Sequence, residues 1–568
     1  MRRLALLAAL CLGLCSQVGA VFRQNASWDE FALLAQADST AATGELHAGG
    51  RPGLAVWLLL PLVAGCDDEI AVLHRARLLW IGFTALYLVG VALWLAELEG
   101  EPARRGGTAL LGTALLALVP AFLWASVQVR TDQIGLAGGA LGGWLLLASR
   151  RRPGLALAAG ACFGAGFLGS QKVLYPIALA LLLAAGQLRW RRELAPRREA
   201  ARALLAALGF AAAIGAFEAA VAAAFQVPAG RPLRAEFSRE FVASGLSLFE
   251  FYRHTIGWRE YRELAPALLP HALALLLLAA ATPAALRSGG GRADRALLAF
   301  AVLALGVGVA LFHAAAFRYF WLTLGLFPAV AIALGRGEIQ GLFARPGRLP
   351  PGAARAAALG FAALLAIPAG FEAAARLRDT QAVQRESFAF LHRAFAPSEP
   401  GFQPESALFC QAGVQPLPTL FSQHLYRRFG GEDRERNTAA LLKRFRSVPI
   451  HFLVESFRLN QFPLEVRRFW AENYQPYRGS VFVAGRRLAG PRDAPLDFEI
   501  VVPGAYRWLP AGGAPALALE GRTLAAGDVV ELAAGRYSAQ PEADLEDGLL
   551  VLAVDEPPGP APLSFYEN

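Results

Sequence analysis

Apolar runs of about 20 residues recur along the first two thirds of the chain, the length an α-helix needs to cross a bilayer. They predict eleven spans, near 4–21, 77–97, 107–125, 133–149, 154–169, 173–188, 202–225, 265–286, 296–316, 318–335 and 354–371. Arginine fills every second connection: Arg2-Arg3, Arg104-Arg105, Arg150 to Arg152, Arg189 to Arg202, Arg287/Arg292/Arg295 and Arg336 to Arg355. Cationic loops stay in the cytoplasm, so the N-terminus is expected inside and everything after about residue 372 outside. Residues 1–20 also fit the template of a cleaved signal peptide; they are taken here as a retained first helix.

The apolar stretch 51–66 follows Pro52, contains Pro61 and is short for a span, so it is expected to lie along the outer surface as an interfacial helix. Past residue 372 the pattern changes. Helix-like periods (Ser387 to Phe395, Thr438 to Phe445, Leu464 to Asn473) alternate with short β-branched runs such as Val448 to Val454, which predicts an α/β layer over 372–478. From Gly479 to the end, short strands separated by turn residues predict a β-sandwich, with Gly504-Ala505-Tyr506 echoed by Gly535-Arg536-Tyr537. The Pro-rich stretch from Pro557 to Pro562 is expected to be a loose end. The fold class is thus a polytopic α-helical membrane protein (1–371, with a first outer loop at 22–76) carrying a C-terminal soluble α/β plus β-sandwich region.

Composition agrees with this reading. Hydrophobic residues make up 55% and charged residues 17% of the chain, which excludes a single soluble domain. The net charge of +9 follows the membrane loops rather than one aromatic-interleaved arm, so nucleic acid is set aside as a partner. Lys172 and Lys443 are the only lysines. Of the five cysteines, Cys66 and Cys410 fall in regions placed outside, where an oxidising compartment permits a disulfide, although spacing does not argue for that pair.

The topology gathers Asp29, Glu30, Arg51, His74, Arg75, Arg77, Arg130, Asp132, Lys172, His313, Arg318 and Tyr319 on the outer face near span ends. Single cations at span ends commonly snorkel to lipid head groups. Together with one acidic pair they suit another chemistry: Lys and Arg hold a phosphate, and a carboxylate beside them can take a proton from an acceptor hydroxyl or amine.

The segment Asn25-Ala26-Ser27-Trp28-Asp29-Glu30, followed by Gly44-Glu45-Leu46 and Arg51-Pro52, resembles the first outer loop of the GT-C glycosyltransferases. Within that superfamily the resemblance is to the protein O-mannosyltransferase and lipid A aminoarabinose transferase group. Val129 to Gln133, Gly166 to Lys172, and His313 to Tyr319 add to it, so that it covers about residues 1–370. The resemblance implies transfer of a sugar from a polyprenyl-phosphate donor, on the extracytoplasmic side of a bacterial inner membrane, with inversion at the anomeric carbon. It places the catalytic acid on Asp29 with Glu30 as its neighbour, and a donor-phosphate cation on Arg51, although this chain has Arg-Pro-Gly where the family has Lys or His before Pro. Lys172 and Arg318 are expected to share the phosphate. Arg75, Arg130, Asp132, His313 and Tyr319 are candidate donor or acceptor contacts. The internal soluble module of the protein mannosyltransferases is missing, which leaves the acceptor open among glycolipid, glycan and protein.

No cofactor is expected. Asp29, Glu30 and Asp132 could share a divalent ion, but hard-cation sites usually gather more oxygen ligands. A transporter or flippase of lipid-linked glycans is the alternative, and it would more often show paired halves and charges at mid-membrane. A structural membrane subunit with a sugar-binding β-sandwich leaves Asp29 unexplained.

Overall fold

The computed structural model describes residues 15–46, 53–99, 107–190, 196–225, 272, 275–283, 286–287, 290–312, 321–344, 351–403, 407–410, 414–415, 429, 433–456, 458–511, 516–559 and 565. By internal contacts the chain divides into two units: Met1–Gln24 with Ser39–Ala64 and His74–Thr380, and Asn25–Asp38 with Gly65–Leu73 and Gln381–Asn568. Two stretches of the first outer loop, Asn25–Asp38 and Gly65–Leu73, therefore belong to the unit that holds the C-terminal region.

The first unit is helical. Among the described residues three helices are long and apolar enough to cross a membrane, Glu69–Leu98, Arg197–Phe225 and Gly291–Ala310. Helices also cover Thr131–Ala148, Leu155–Gly169, Leu174–Trp190 and Pro351–Arg378, close to the spans that hydropathy predicts. The helix Glu69–Glu99 starts eight residues before its apolar window opens at 77. Asp68 sets that start, its Oδ1 accepting from Ile70 N at 2.8 Å and Ala71 N at 3.1 Å, as an N-cap does. The window 107–125 is not one helix but two, Gly107–Ala117 and Pro120–Ala125. Pro120 has no N–H to continue the ladder and holds Val119 extended (φ −73°, ψ 129°). Leu54–Val63 is a ten-residue helix, too short to span. It packs Leu54 and Trp57 against Leu168, Phe217 and Val221.

Helices Thr131–Ala148 and Leu155–Gly169 approach closely because glycine faces glycine. A Cβ on Gly138 would fall 2.5 Å from the Cys162 carbonyl oxygen and 2.7 Å from Gly166 Cα. Small residues at such contacts are how helices associate without a hydrophobic drive between them. The remaining core of this unit is apolar, built around Tyr87, Trp94, Phe122, Leu136 and Phe327.

In the second unit one sheet runs β10-β7-β12-β5-β3-β1-β2, with β4 (Tyr474–Arg478) also on β5 (Val481–Gly490). Here β1 is Gly401–Phe402, β2 Val414–Gln415, β3 Phe452–Val454, β7 Gly504–Pro510, β10 Val529–Leu532 and β12 Leu545–Leu552. The β1–β2 and β1–β3 pairings are parallel and the others antiparallel. Because β5 pairs with both β3 and β12, this sheet crosses residue 479, where composition changes. A second sheet joins β6 (Leu496–Ile500), β11 (Gly535–Pro541), β8 (Leu517–Leu519) and β9 (Arg522–Leu524). The two Gly-x-Tyr echoes are structural: Tyr506 Oη donates to Val502 O at 2.6 Å and Tyr537 Oη to Ala533 O at 3.0 Å, each four residues back. Helices Arg434–Ser447 and Leu464–Asn473 contribute Phe445, Phe469 and Trp470 to an aromatic core with Phe402 and Phe462. The described part of the stretch expected to be a loose end is anchored, Gly559 N donating to Tyr477 O at 2.8 Å, and Phe565 beyond it is buried.

Candidate functional site

Asp29 and Glu30 form the first turn of the helix Trp28–Thr43, where acidic side chains face the positive end of the backbone dipole. Ser27-Trp28-Asp29-Glu30 is a capping box, with the Ser at the N-cap and the Glu three places on. Glu30 is fully buried and its Oε2 accepts from Ser27 N at 2.9 Å. Among the described residues the Ser27 hydroxyl has no hydrogen-bond partner, so the Glu arm carries the box. Asp29 is half-buried. The helix ends at Gly44 (φ +68°), whose N–H returns to Thr40 O at 3.0 Å.

Two neighbours hold this helix start within the second unit. Gln384, on the helix Ala382–Ala394, is 1% exposed. Its Oε1 accepts from Ala26 N at 2.9 Å, and its Nε2 donates to Ala26 O and Phe565 O, both at 3.0 Å. Phe31, two residues after Asp29, meets Phe388 and Phe565 at centroid distances of 5.6 and 6.0 Å.

The other end of the loop is tied by a Cys66–Cys410 disulfide, Cα to Cα 5.5 Å. Beside it Glu69, with no exposure, accepts from His392 Nε2 at 2.7 Å and from Cys410 N at 3.2 Å. The Glu69 hydrogen bond raises the His392 pKa above the ordinary histidine value. Asp38 is pushed up to about 6, by burial first and then by the Glu69 charge.

In the first unit Asp132 is the centre of a second cluster. Its Oδ2 accepts from Lys172 Nζ at 2.8 Å and lies 3.9 Å from Arg130 Nε, while its Oδ1 accepts from Ser170 Oγ at 3.2 Å. Asp132 opens the helix Thr131–Ala148, and Ser170 and Lys172 follow the end of Leu155–Gly169. Close helix packing makes the meeting: a Cβ on Gly135 would sit 2.9 Å from Ser170 Cβ. Ser170 Oγ also accepts from Lys172 N at 3.3 Å, opening the short 3₁₀ turn Gln171–Val173. Two cations around one carboxylate leave the group with net positive charge. A guanidinium and an ammonium so placed can bind phosphate oxygens.

Of the other outer-face residues, Arg75 is exposed on Glu69–Glu99 and the His74 ring lies edge-on to Phe22 at 5.1 Å. Arg77 is fully buried, donating to Val21 O at 3.0 Å and Gln24 O at 2.7 Å, and thereby fixes the chain leaving the helical stretch 15–21. Arg51, His313, Arg318 and Tyr319 lie outside the described residues. Among the described residues no group of three or more His, Cys, Asp or Glu side chains is arranged to hold a metal. Sequence reasoning missed Gln384, Ser170, Glu69 and His392; the Ser27-to-Glu30 capping box was the one visible signal among these contacts.

No family model and no curated protein matches the chain. Solved structures do. The crystal structure of the Archaeoglobus fulgidus oligosaccharyltransferase tethered with an acceptor peptide containing the NVT sequon is similar at a TM-score of 0.50 and 11% identity, over 99% of this chain and 98% of that one. ArnT from Cupriavidus metallidurans bound to undecaprenyl phosphate gives 0.48 at 15% identity, over 80% and 93%. The arabinosyltransferase EmbB from Mycobacterium smegmatis gives 0.37 at 14% identity, over 97% and 63%. At these identities the likeness is one of fold alone: the chain shares the fold of that oligosaccharyltransferase, and its described residues combine a helical unit with a β-rich C-terminal region.

Proposed function

We propose that this protein is an integral membrane glycosyltransferase that moves a sugar from a polyprenyl-phosphate donor to an extracytoplasmic acceptor, a glycolipid, glycan or protein, by inverting displacement. Asp29 acts as general base. It takes the proton of the acceptor hydroxyl or amine as that atom bonds to the anomeric carbon. The bond from that carbon to the phosphate oxygen breaks, and the electron pair leaves with the polyprenyl phosphate. Lys172, with Arg51 and Arg318, stabilises the departing phosphate; Arg130, Asp132, Arg75, His313 and Tyr319 are the further candidate contacts.

The carrying observation is the position of Asp29, a half-buried acid in the first turn of the helix Trp28–Thr43, beside Glu30, whose carboxylate accepts from Ser27 N and serves the helix start. The likeness of fold to an oligosaccharyltransferase supports the reading. A neighbour of the same fold class binds undecaprenyl phosphate. The Cys66–Cys410 disulfide supports an oxidising, extracytoplasmic setting for the unit that holds Asp29. About eleven spans in an inner membrane, with the sugar transferred outside and no metal required, complete the proposal.

The test is Asp29→Asn, assayed in membranes supplied with a polyprenyl-phosphate sugar. Insertion and disulfide formation are expected to be normal and transfer to be abolished; full activity would refute the base. Lys172→Ala is expected to raise the KM for donor far more than for acceptor.

A further inference from the structure

Gln384 stands out among buried polar side chains because every polar group it owns is spent on backbone groups at Ala26 and Phe565. Its carboxamide pairs with both the N–H and the C=O of Ala26, as a neighbouring β-strand would, and its second N–H holds the Phe565 carbonyl. Ala26 is three residues before Asp29. The next backbone N–H, that of Ser27, is taken by Glu30. Phe31 then closes a three-ring cluster with Phe388 and Phe565, which themselves meet at 5.3 Å. Gln384 and Phe388 lie four residues apart on one helix, so a single helical face grips the chain on both sides of Asp29. A helix terminus has only its first-turn geometry to hold it. A clamp on either side converts that turn into a fixed platform.

We infer that Gln384 is a positioning residue for Asp29, acting with Phe565 to hold the Ala26-to-Phe31 turn at the angle from which the carboxylate reaches the acceptor proton. This rests on the reading of Asp29 as base. Proton transfer demands placement within tenths of an ångström, and an error of about 1 Å costs on the order of 100-fold in rate. The clamp touches neither donor phosphate nor acceptor. Its loss therefore falls on kcat and leaves donor binding alone.

The experiment compares Gln384→Met, which keeps the length and removes the hydrogen bonds, with deletion of residues 565–568, Asp29→Asn, and the Gln384→Met/Asp29→Asn double variant, all in the full chain in membranes. Gln384→Met is expected to lower kcat roughly 10- to 100-fold with donor KM within about twofold. The deletion is expected to do the same, and the double variant to be no slower than Asp29→Asn, since a residue acting through Asp29 has nothing left to act on. Formation of the Cys66–Cys410 disulfide reports folding in each case. A purely structural role would raise KM and lower kcat together and add to the Asp29→Asn defect, which would overturn the inference. If Asp29→Asn is inactive and Gln384→Met retains wild-type kcat, the inference fails while the base stands. If Asp29→Asn is fully active, the base fails and the inference with it.

Discussion

Asp132→Asn is the sharpest perturbation of the membrane cluster, because it removes one charge from the middle of three. The carboxylate is 7% exposed and accepts from Lys172 at 2.8 Å, with Arg130 at 3.9 Å. At an effective dielectric constant near 20, Coulomb's law gives attractions of about 6 and about 4 kcal/mol for two such contacts. Most of that is offset by desolvation of the ions, and breaking a buried pair from one side costs a net ~3 kcal/mol, at the lower end of the usual range because Lys172 keeps 20% exposure. Lys172→Met leaves Asp132 with Arg130 and the Ser170 hydroxyl, so its cost is smaller, ~2 kcal/mol. With both removed, Arg130 alone faces a neutral side chain and Lys172 is no longer stranded. The double variant is expected to lose ~3 kcal/mol rather than ~5, a coupling of about 2 kcal/mol. Reversible unfolding of the purified protein in mixed detergent micelles at pH 7, for wild type and the three variants, measures it. Losses that add to within about 0.5 kcal/mol would refute the pair as an energetic unit.

Three further outcomes follow from the second unit. Glu30→Gln keeps an acceptor for Ser27 N and is expected to retain activity, whereas Glu30→Ala removes the box and lowers stability by ~1 kcal/mol or more; inactivity of Glu30→Gln in the transfer assay would return Glu30 to the chemistry. Reduction of Cys66–Cys410 by dithiothreitol is expected to lower the thermal midpoint of this unit and loosen protection of residues 65–73 in hydrogen exchange; unchanged protection would make the bond incidental. The pH dependence has a defined sign. His392 is raised, so its contribution is complete below pH 6.5 and is lost as pH climbs through the raised value. Asp38 is also raised, to about 6, so the folded unit binds its proton more tightly and loses stability as pH rises from 3.8 to about 6. Both point the same way: thermal midpoints are expected to fall between pH 4 and 8, with Asp38→Asn flattening the lower limb and His392→Gln the upper.

Hydropathy and turn chemistry reach the elements of this protein because those signals are local. Leu464–Asn473 and Val529–Leu532 fall where the pattern places them, and Gly504 and Gly535 do open strands. The break before Pro120 is equally local, but a hydropathy window averages over it. The sequence singles out Lys172 as a phosphate cation and Asp132 as a candidate contact but not their pairing, which depends on how closely two helices pack. That closeness is written in Gly135, Gly138 and Gly166, which an apolarity scale reads as neutral spacers. Gln384 was beyond reach for a different reason. Its partners are 358 and 181 residues away in the chain, and a buried glutamine has no sequence pattern that tells it from a surface one.

A soluble outer region can act in acceptor selection or as a lid, but its contacts with residues 25–38 and 65–73 make a different demand. Phe31 and Glu69, both without exposure, take their cover and their partners from Phe388, Phe565, His392 and Cys410. Removing residues 381–568 would expose Phe31, a loss of about 2–3 kcal/mol, and strand Glu69 without its histidine. It would also free Ala26, since Gln384 goes with the deleted helix. A lid or selector can be cut away while transfer to a small, undemanding acceptor continues. A scaffold for the catalytic turn cannot: the truncated protein is expected to insert and bind donor lipid, yet to transfer sugar to no acceptor, including a simple alcohol at high concentration. Transfer to that alcohol at more than about a tenth of the wild-type rate would put the fixing of Asp29 in the loop itself, because the ordered turn is worth on the order of 100-fold.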